Sequence, residues 1–322
     1  MDWRIKAVTQ GLMSRLPGGA TVNDLLQRSL GGRRDISGHI RSKVEEDWLV
    51  HMSYLRRLGF GLAGRHLLEV GTGWLPVMPL CFALAGIGRV TTIDLHRHLR
   101  PGAIRLALQH LQPYLEAIAH ACGAPPAEVR SRWESLAARP NETAVLEGAR
   151  IDYQAPGDAT RTGLPAWSVD IVFSNSVLEH MPDSVLDALM AESRRILADD
   201  GFILHGVNCG DHYAYFDRSI TPIHYLRFTE REWRRWNNDL LYQNRLRPID
   251  FLAAAHRAGF EVVLDTQRPR PELLGRIAAL PIAPAFQHYD VGQLCTTSID
   301  FAARPRMNQV DAGRTSEADA RT

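Results

Sequence analysis

The chain has 322 residues, enough for one large domain or two modest ones, and its 45% hydrophobic and 23% charged content is that of an ordinary soluble globular protein. A net charge of +1 supplies no global field for nucleic acid or for an anionic membrane surface, so neither is expected as a partner. Cys81, Cys122, Cys209 and Cys295 are widely spaced, with no C-x-x-C pair, so neither a zinc site nor an iron–sulfur cluster is expected; with no signal peptide and no run of 18 apolar residues, a cytoplasmic chain with reduced thiols and no stable membrane insertion follows.

Residues 1–38 mix short apolar patches with Gly18-Gly19, Gly31-Gly32 and several arginines, a pattern of short helices joined by glycine turns. Trp3 to Leu16 is weakly amphipathic and basic and is expected to pack on the domain rather than on a membrane. Ile40 to Leu58 carries Val44, Trp48, His51, Met52 and Leu55 at spacings of three and four, so a second helix is expected. Leu67 to Val70 reads as a buried strand that stops at Gly71-Thr-Gly73. A helix follows Pro76, and Val90 to Ile93 forms a second strand that ends in Asp94.

This is one βαβ unit. Asp94 lies 21 residues after Gly73 (94 − 73), the spacing at which a carboxylate reaches the two hydroxyls of a bound ribose. A dinucleotide fold wants a third glycine where this chain has Trp74-Leu75-Pro76, and no lysine or arginine lies between Glu69 and Ile87 to meet a phosphate. The turn is suited to a nucleoside without phosphates.

From His96 to Gly148 the sequence is mainly helical, with Ile104 to Ala121 broken by Pro113 and a further helix from Pro125-Pro126 through Ala138. A βαβ crossover needs far fewer residues, so the surplus is a helical cap or an oligomer contact, with a homodimer the form considered. Ala149 to Gln154 is a third strand, followed by Gly157-Asp158-Ala159. Val169 to Phe173 is a fourth, running into Ser174-Asn-Ser-Val-Leu-Glu-His180. Val185 to Leu197 is an amphipathic helix and Phe202 to Val207 a fifth strand.

The loop beyond it, Asn208 to Asp217 and on to Thr221-Pro-Ile-His-Tyr225, clusters aromatic, histidine and acidic residues where loops shape substrate pockets. Asp211, His212 and His224 have the donor types of a divalent metal site, but a hydrogen-bonded His–Asp pair is the preferred reading and no metal is expected. Thr229 and Glu232 form a capping box; Trp233 and Trp236 then share one face, read as a lid rather than an RNA-binding patch. Gly259 to Leu264 is a sixth strand and Gln293 to Ala302 a seventh. Residues 304–322 are polar and are expected to be disordered.

Glu69-Val-Gly-Thr-Gly73 resembles motif I of the class I S-adenosylmethionine-dependent methyltransferases, and Asp94 resembles their ribose-binding acid. Val177-Leu-Glu-His180 resembles their motif IV, and the resemblance covers roughly residues 60–210. It implies a doubly wound, seven-stranded Rossmann-like α/β sheet with a helical amino-terminal segment and helical insertions, closing in an antiparallel hairpin. It also implies S-adenosylmethionine as cofactor, held by Glu69, Gly71, Thr72, Gly73, Asp94, Asp158, Ala159, Asn175 and Ser176, with Asp158 beside the adenine amino group. Ligands bind at the carboxyl ends of such strands, so these groups are expected to converge.

The organisation that results is an amino-terminal lid over residues 1–58, a cofactor-binding domain over 59–303, and a tail over 304–322. The domain contains the helical insertion 96–148 and a substrate loop and lid over 208–250. Methyl transfer to a hydroxyl or amine of a small molecule, sugar-like or a secondary metabolite, is the expected activity. His180 is the first candidate base and His212 the second, oriented by Asp211, because histidine titrates near neutral pH. Tyr213, Tyr215 and His224 are the candidates for holding the acceptor. A partner-binding module on the same fold, or non-methyl chemistry such as a cyclisation, stands as the alternative.

Overall fold

The computed structural model describes residues 2–16 and 35–306. The expected glycine turns at 18–19 and 31–32, and residues 307–322 of the expected tail, lie outside the described residues.

Seven strands form one sheet in the order β3-β2-β1-β4-β5-β7-β6. They are β1 His66–Val70, β2 Arg89–Ile93, β3 Ile151–Gln154, β4 Val169–Asn175, β5 Leu197–Asn208, β6 Phe260–Asp265 and β7 Ser298–Pro305. The first five run parallel, and β7 lies antiparallel between β5 and β6. The β-branched run Val90-Thr-Thr-Ile93 is wholly buried in β2, as a parallel strand covered on both faces must be.

Two strands differ from expectation. β5 begins at Leu197 rather than Phe202, because the chain leaves the Asp183–Ile196 helix directly in extended conformation. β7 begins at Ser298 rather than Gln293. Asp290 and Gln293 form a reciprocal capping box that winds Val291–Cys295 into a helical turn, and the strand then continues to Pro305, into the stretch read as tail.

One face of the sheet carries the larger core. The helix Val77–Leu84, the insertion helices Ala103–Leu111, Leu115–Cys122, Pro126–Ala137 and Glu142–Gly148, and the helical run from Ile36 to Arg57 all contribute side chains to it. The insertion after β2 therefore shares this core. Pro113 splits its first helix with a single 3-10 turn, since proline cannot donate to the helical ladder. The opposite face is closed by Asp183–Ile196 and Pro248–Arg257 over Leu68, Val172 and Phe301.

A third cluster stands beyond the end of β5. Trp3 and Ala7 of the Trp3–Met13 helix pack there with Tyr213, Tyr225 and Trp233. The amino-terminal helix thus docks on the segment that follows β5. Trp233 and Trp236 belong to this aromatic cluster: the Trp3 ring lies 4.9 Å from Trp236, and the Tyr213 ring 6.3 Å from Trp233.

Candidate cofactor and acceptor site

Strand register sets the site. Val70 pairs with Ile93 on one side and with Ser174 on the other, so Gly71 and Asp94 follow the ends of β1 and β2, level with Asn175, the last residue of β4. The next strand is level as well, since the Asp94 amide donates to the Gln154 carbonyl and the Gly157 amide to the Asp94 carbonyl.

The glycine turn needs glycine at both places for different reasons. Gly71 has φ +85°, and a Cβ there would lie 2.5 Å from Val177 Cγ2, so the two motif loops touch at this point. Gly73 has φ +73°, and nothing lies within 4 Å of where its Cβ would be. The turn is open above Gly73, the condition for close approach of a ligand to backbone. The Gly73 amide donates to Asp94 Oδ2 at 3.1 Å.

Asp94 is buried, and burial raises its pKa to about 6, against the opposing pull of the Gly73 amide and the Thr72 and Tyr153 hydroxyls. Beneath it Thr72 is hydrogen-bonded to Thr92, whose hydroxyl donates to Glu69. Burial lifts the Glu69 carboxyl to about 7. Glu69 and Thr72 thus buttress the turn from below, which differs from the direct ligand contact expected of them.

Asp158 is exposed, and its Oδ1 accepts from both the amide and the hydroxyl of Thr160. This is the turn geometry aspartate favours, and Oδ2 has no partner among the described residues. Ala159 is half-buried beside it. Ser176 has φ +58° and donates its amide to Gly206, so its conformation is set by the sharp exit from β4. Asn175 donates to Asp47 Oδ2 at 2.8 Å, and Lys43 reaches the same oxygen at 2.9 Å. Asp47 lies in Lys43–Trp48, where the helical run widens to π-type turns, a distortion that often accompanies functional positions. Nothing in the sequence beyond an i, i+4 pair marked Asp47 for this role.

The acceptor side departs from expectation at four residues. Asp211 does not orient His212. It is 2% exposed, accepts from Tyr213 N at 2.9 Å, and pairs with His224 Nδ1 at 3.3 Å. The Asp–His pair is therefore Asp211 with His224, thirteen residues apart, and it orders the loop. His224 is buried and packs edge-on against Trp3 and Phe228, so it cannot hold an acceptor. Tyr213 is buried too and spends its hydroxyl on the Trp236 carbonyl at 2.6 Å. Its place in the aromatic cluster removes it from the acceptor set. His212 is held near a pKa of about 3 by burial, His180 and Lys6, too weakly basic to serve as a general base at neutral pH.

His180 and Tyr215 remain. The two histidine rings of His180 and His212 stand 5.1 Å apart, and the Tyr215 ring is 5.7 Å from His212. Tyr215 is exposed and its hydroxyl meets Asn208 at the end of β5. His180 is exposed on one side; its packed side is desolvated enough to lower its pKa below the usual histidine value, while the Tyr242 carbonyl accepts from Nδ1 at 2.6 Å. A surface cleft of about 420 Å³ lined by Gly88, Arg89, Glu147 and Arg150 lies at the amino ends of β2 and β3, the end of the sheet away from these groups.

Residues 131–205 match the model of a family described as a methyltransferase domain. That segment holds β3, β4 and the first part of β5, together with the Val177-Leu-Glu-His180 loop. The match spans 75 of the 322 residues, and over that segment the chain resembles a methyltransferase domain. Among solved structures it is similar to the magnesium protoporphyrin IX methyltransferase of Synechocystis, at 12% identity over 89% of this chain and 99% of that one, with a TM-score of 0.47. It is also similar to a methyltransferase of Methanosarcina mazei, at 13% identity over 79% and 98%, TM-score 0.45. A third is the 1,6-didemethyltoxoflavin-N1-methyltransferase of Burkholderia thailandensis, at 14% identity over 90% and 89%, TM-score 0.43. No curated protein matches the chain.

The open space above Gly73 beside the Asp94 carboxylate fits the nucleoside of S-adenosylmethionine. No helix among the described residues is long and apolar enough to cross a membrane. Sequence reasoning missed Tyr153 and Asp47. Tyr153 sits on β3 one strand away from Asp94, and only strand pairing brings its hydroxyl there.

Proposed function

We propose that the enzyme transfers the methyl group of S-adenosylmethionine to a hydroxyl, or next to it an amine, of a small sugar-like or secondary-metabolite acceptor. The observation that carries this reading is the alignment of Gly71–Gly73, Asp94 and Asn175 on adjacent strand ends. In it Asp94 accepts from the ribose hydroxyls, and the exposed Leu95 offers apolar surface to the base. Asp158 and Ala159 meet the adenine, using the unpartnered Asp158 Oδ2, and Asn175 and Ser176 border the methionine end. Residues 208–250 serve as acceptor loop and lid.

The sulfonium already activates the methyl group. The protein aligns the acceptor lone pair behind the carbon, excludes water, and takes a proton if the acceptor is a hydroxyl. His180 is the base for that proton, because its ring stands 5.1 Å from that of His212 in the loop cluster and its Nδ1 is fixed by Tyr242. Tyr215 is the surviving acceptor-binding residue of the three expected ones. The four free cysteines support a reducing, cytoplasmic setting.

The test uses S-adenosylmethionine labelled in its methyl group with a panel of hydroxylated and amino acceptors. Label in product, with S-adenosylhomocysteine released in step, supports the reading. Product formed without demethylated cofactor moves the chain to the non-methyl alternative, and cofactor binding without turnover on any acceptor moves it to the partner-binding one.

A further inference from the structure

Three side chains of metal-ligand type converge in the loops beyond β4 and β5. Glu179 is 1% exposed, and neither of its carboxylate oxygens makes a well-formed hydrogen bond among the described residues, the nearest donors being the Glu179 and Asn208 amides. His212 Nε2 is buried and likewise without a partner. His180 completes the group, and one ligand atom from each of the three lies within 4.8 Å of the others. A buried carboxylate without well-formed hydrogen bonds or a paired cation costs several kcal/mol, which a fold sustains where something else satisfies it. The neighbouring cation, Lys43, is already paired with Asp47 at 2.9 Å.

We propose that Glu179, His180 and His212 hold a divalent transition-metal ion. Two imidazoles and one carboxylate suit zinc, iron, cobalt or manganese, whereas magnesium and calcium prefer all-oxygen sets. The Tyr242 carbonyl takes the Nδ1 proton of His180, the outer-shell bond that leaves the other ring nitrogen as the ligand. Bonds of about 2 Å to a common ion bring donors somewhat closer than their present spread, a shift within reach of side-chain rotation. Asp211 and His224, the residues whose types suggested a metal in the sequence, pair with each other instead.

Three protein ligands leave open coordination positions. Resting on the methyl-transfer reading, the ion binds the acceptor hydroxyl there and lowers its pKa, the proton passing to water; with its Nε2 on the ion, His180 then acts as a ligand and the ion replaces it as the means of deprotonation. The acceptor class this favours carries a second oxygen beside the reacting hydroxyl, as in a vicinal diol.

The test separates metal binding from catalysis. Chelator-treated full-length protein is titrated with Zn²⁺ by calorimetry and with Co²⁺ in the visible spectrum, beside Glu179→Gln, His212→Asn and Asp94→Ala variants whose folding is checked by circular dichroism. One ion per chain at micromolar affinity, weakened about 100-fold or more in the first two variants and unchanged in Asp94→Ala, is expected. No binding to folded wild type, or binding that survives both ligand variants, overturns the proposal. Should both variants misfold, the wild-type Co²⁺ spectrum decides, since only bands of a nitrogen-ligated ion sustain it. No S-adenosylmethionine binding by the folded wild type, with its metal binding intact, would count against the methyl-transfer reading alone.

Discussion

The Gly73 amide donates to the Asp94 carboxylate at 3.1 Å, so the glycine turn and the acid at the end of β2 form one unit although 21 residues separate them. The pairing of β1 with β2 enforces it, because Val70 and Ile93 are in register and their successors cannot avoid each other. Removing the acid should cost the charged hydrogen bonds to a ribose. Asp94→Ala is expected to weaken S-adenosylmethionine binding by roughly 10- to 100-fold, about 1.5–3 kcal/mol, in calorimetric titration. Undiminished affinity would remove Asp94 from the cofactor site.

The two glycines of the turn should answer differently to alanine. Gly71→Ala incurs both the left-handed conformation and the collision with Val177, about 2–4 kcal/mol in denaturant unfolding. Gly73→Ala meets open space and should cost about 1 kcal/mol, yet lose cofactor affinity because the new methyl occupies the ligand's approach. Equal destabilisation by the two would contradict the geometry.

Glu179 makes stability depend on pH in the chelated protein. Burial raises its pKa from 4.5 to about 8, so the folded state holds a proton that the unfolded state releases. Its stabilising contribution is complete below about 4.5 and is lost as pH rises through about 8. The Tm should therefore fall across that window, and Glu179→Gln should flatten part of the fall. Excess Zn²⁺ should flatten it in wild type as well, since the ion binds the carboxylate and stabilises the folded form. A Tm that rises through the window in both proteins would refute this account.

Arg247 is fully buried, with no carboxylate partner for its guanidinium among the described residues. Its guanidinium donates to the Cys209, Gln293, Leu294 and Thr296 carbonyls and to the Tyr225 hydroxyl, tying the loop after β5 to the segment that leads into β7. Arg247→Met leaves those carbonyls unsatisfied and should destabilise by about 3–5 kcal/mol. Lysine should not rescue it, because three donors on a point charge cannot span a planar fork. Calorimetric or denaturant unfolding checks both, and a Lys variant of wild-type stability would show that charge alone suffices.

The sequence by itself determined the sheet and its cofactor end. The alternation of apolar strands with glycine turns and helices is local, and strand ends of a parallel sheet align by hydrogen-bond register, so Gly71, Gly73, Asp94 and Asn175 could be placed together from their positions in the chain. The loops beyond β5 were a different matter. Asp211, His212, Tyr213 and His224 are interchangeable in a pattern of residue types, and which of them faces the core is decided by what arrives from elsewhere. Trp3, more than 200 residues upstream, covers His224 and Tyr213. Arg247 and Gln243 fix the backbone at Cys209 and Gly210. With Asp211 drawn to His224, His212 is left beside His180 and Glu179. Only tertiary packing could make that assignment, because desolvation of a histidine or a carboxylate depends on neighbours that no local spacing reveals.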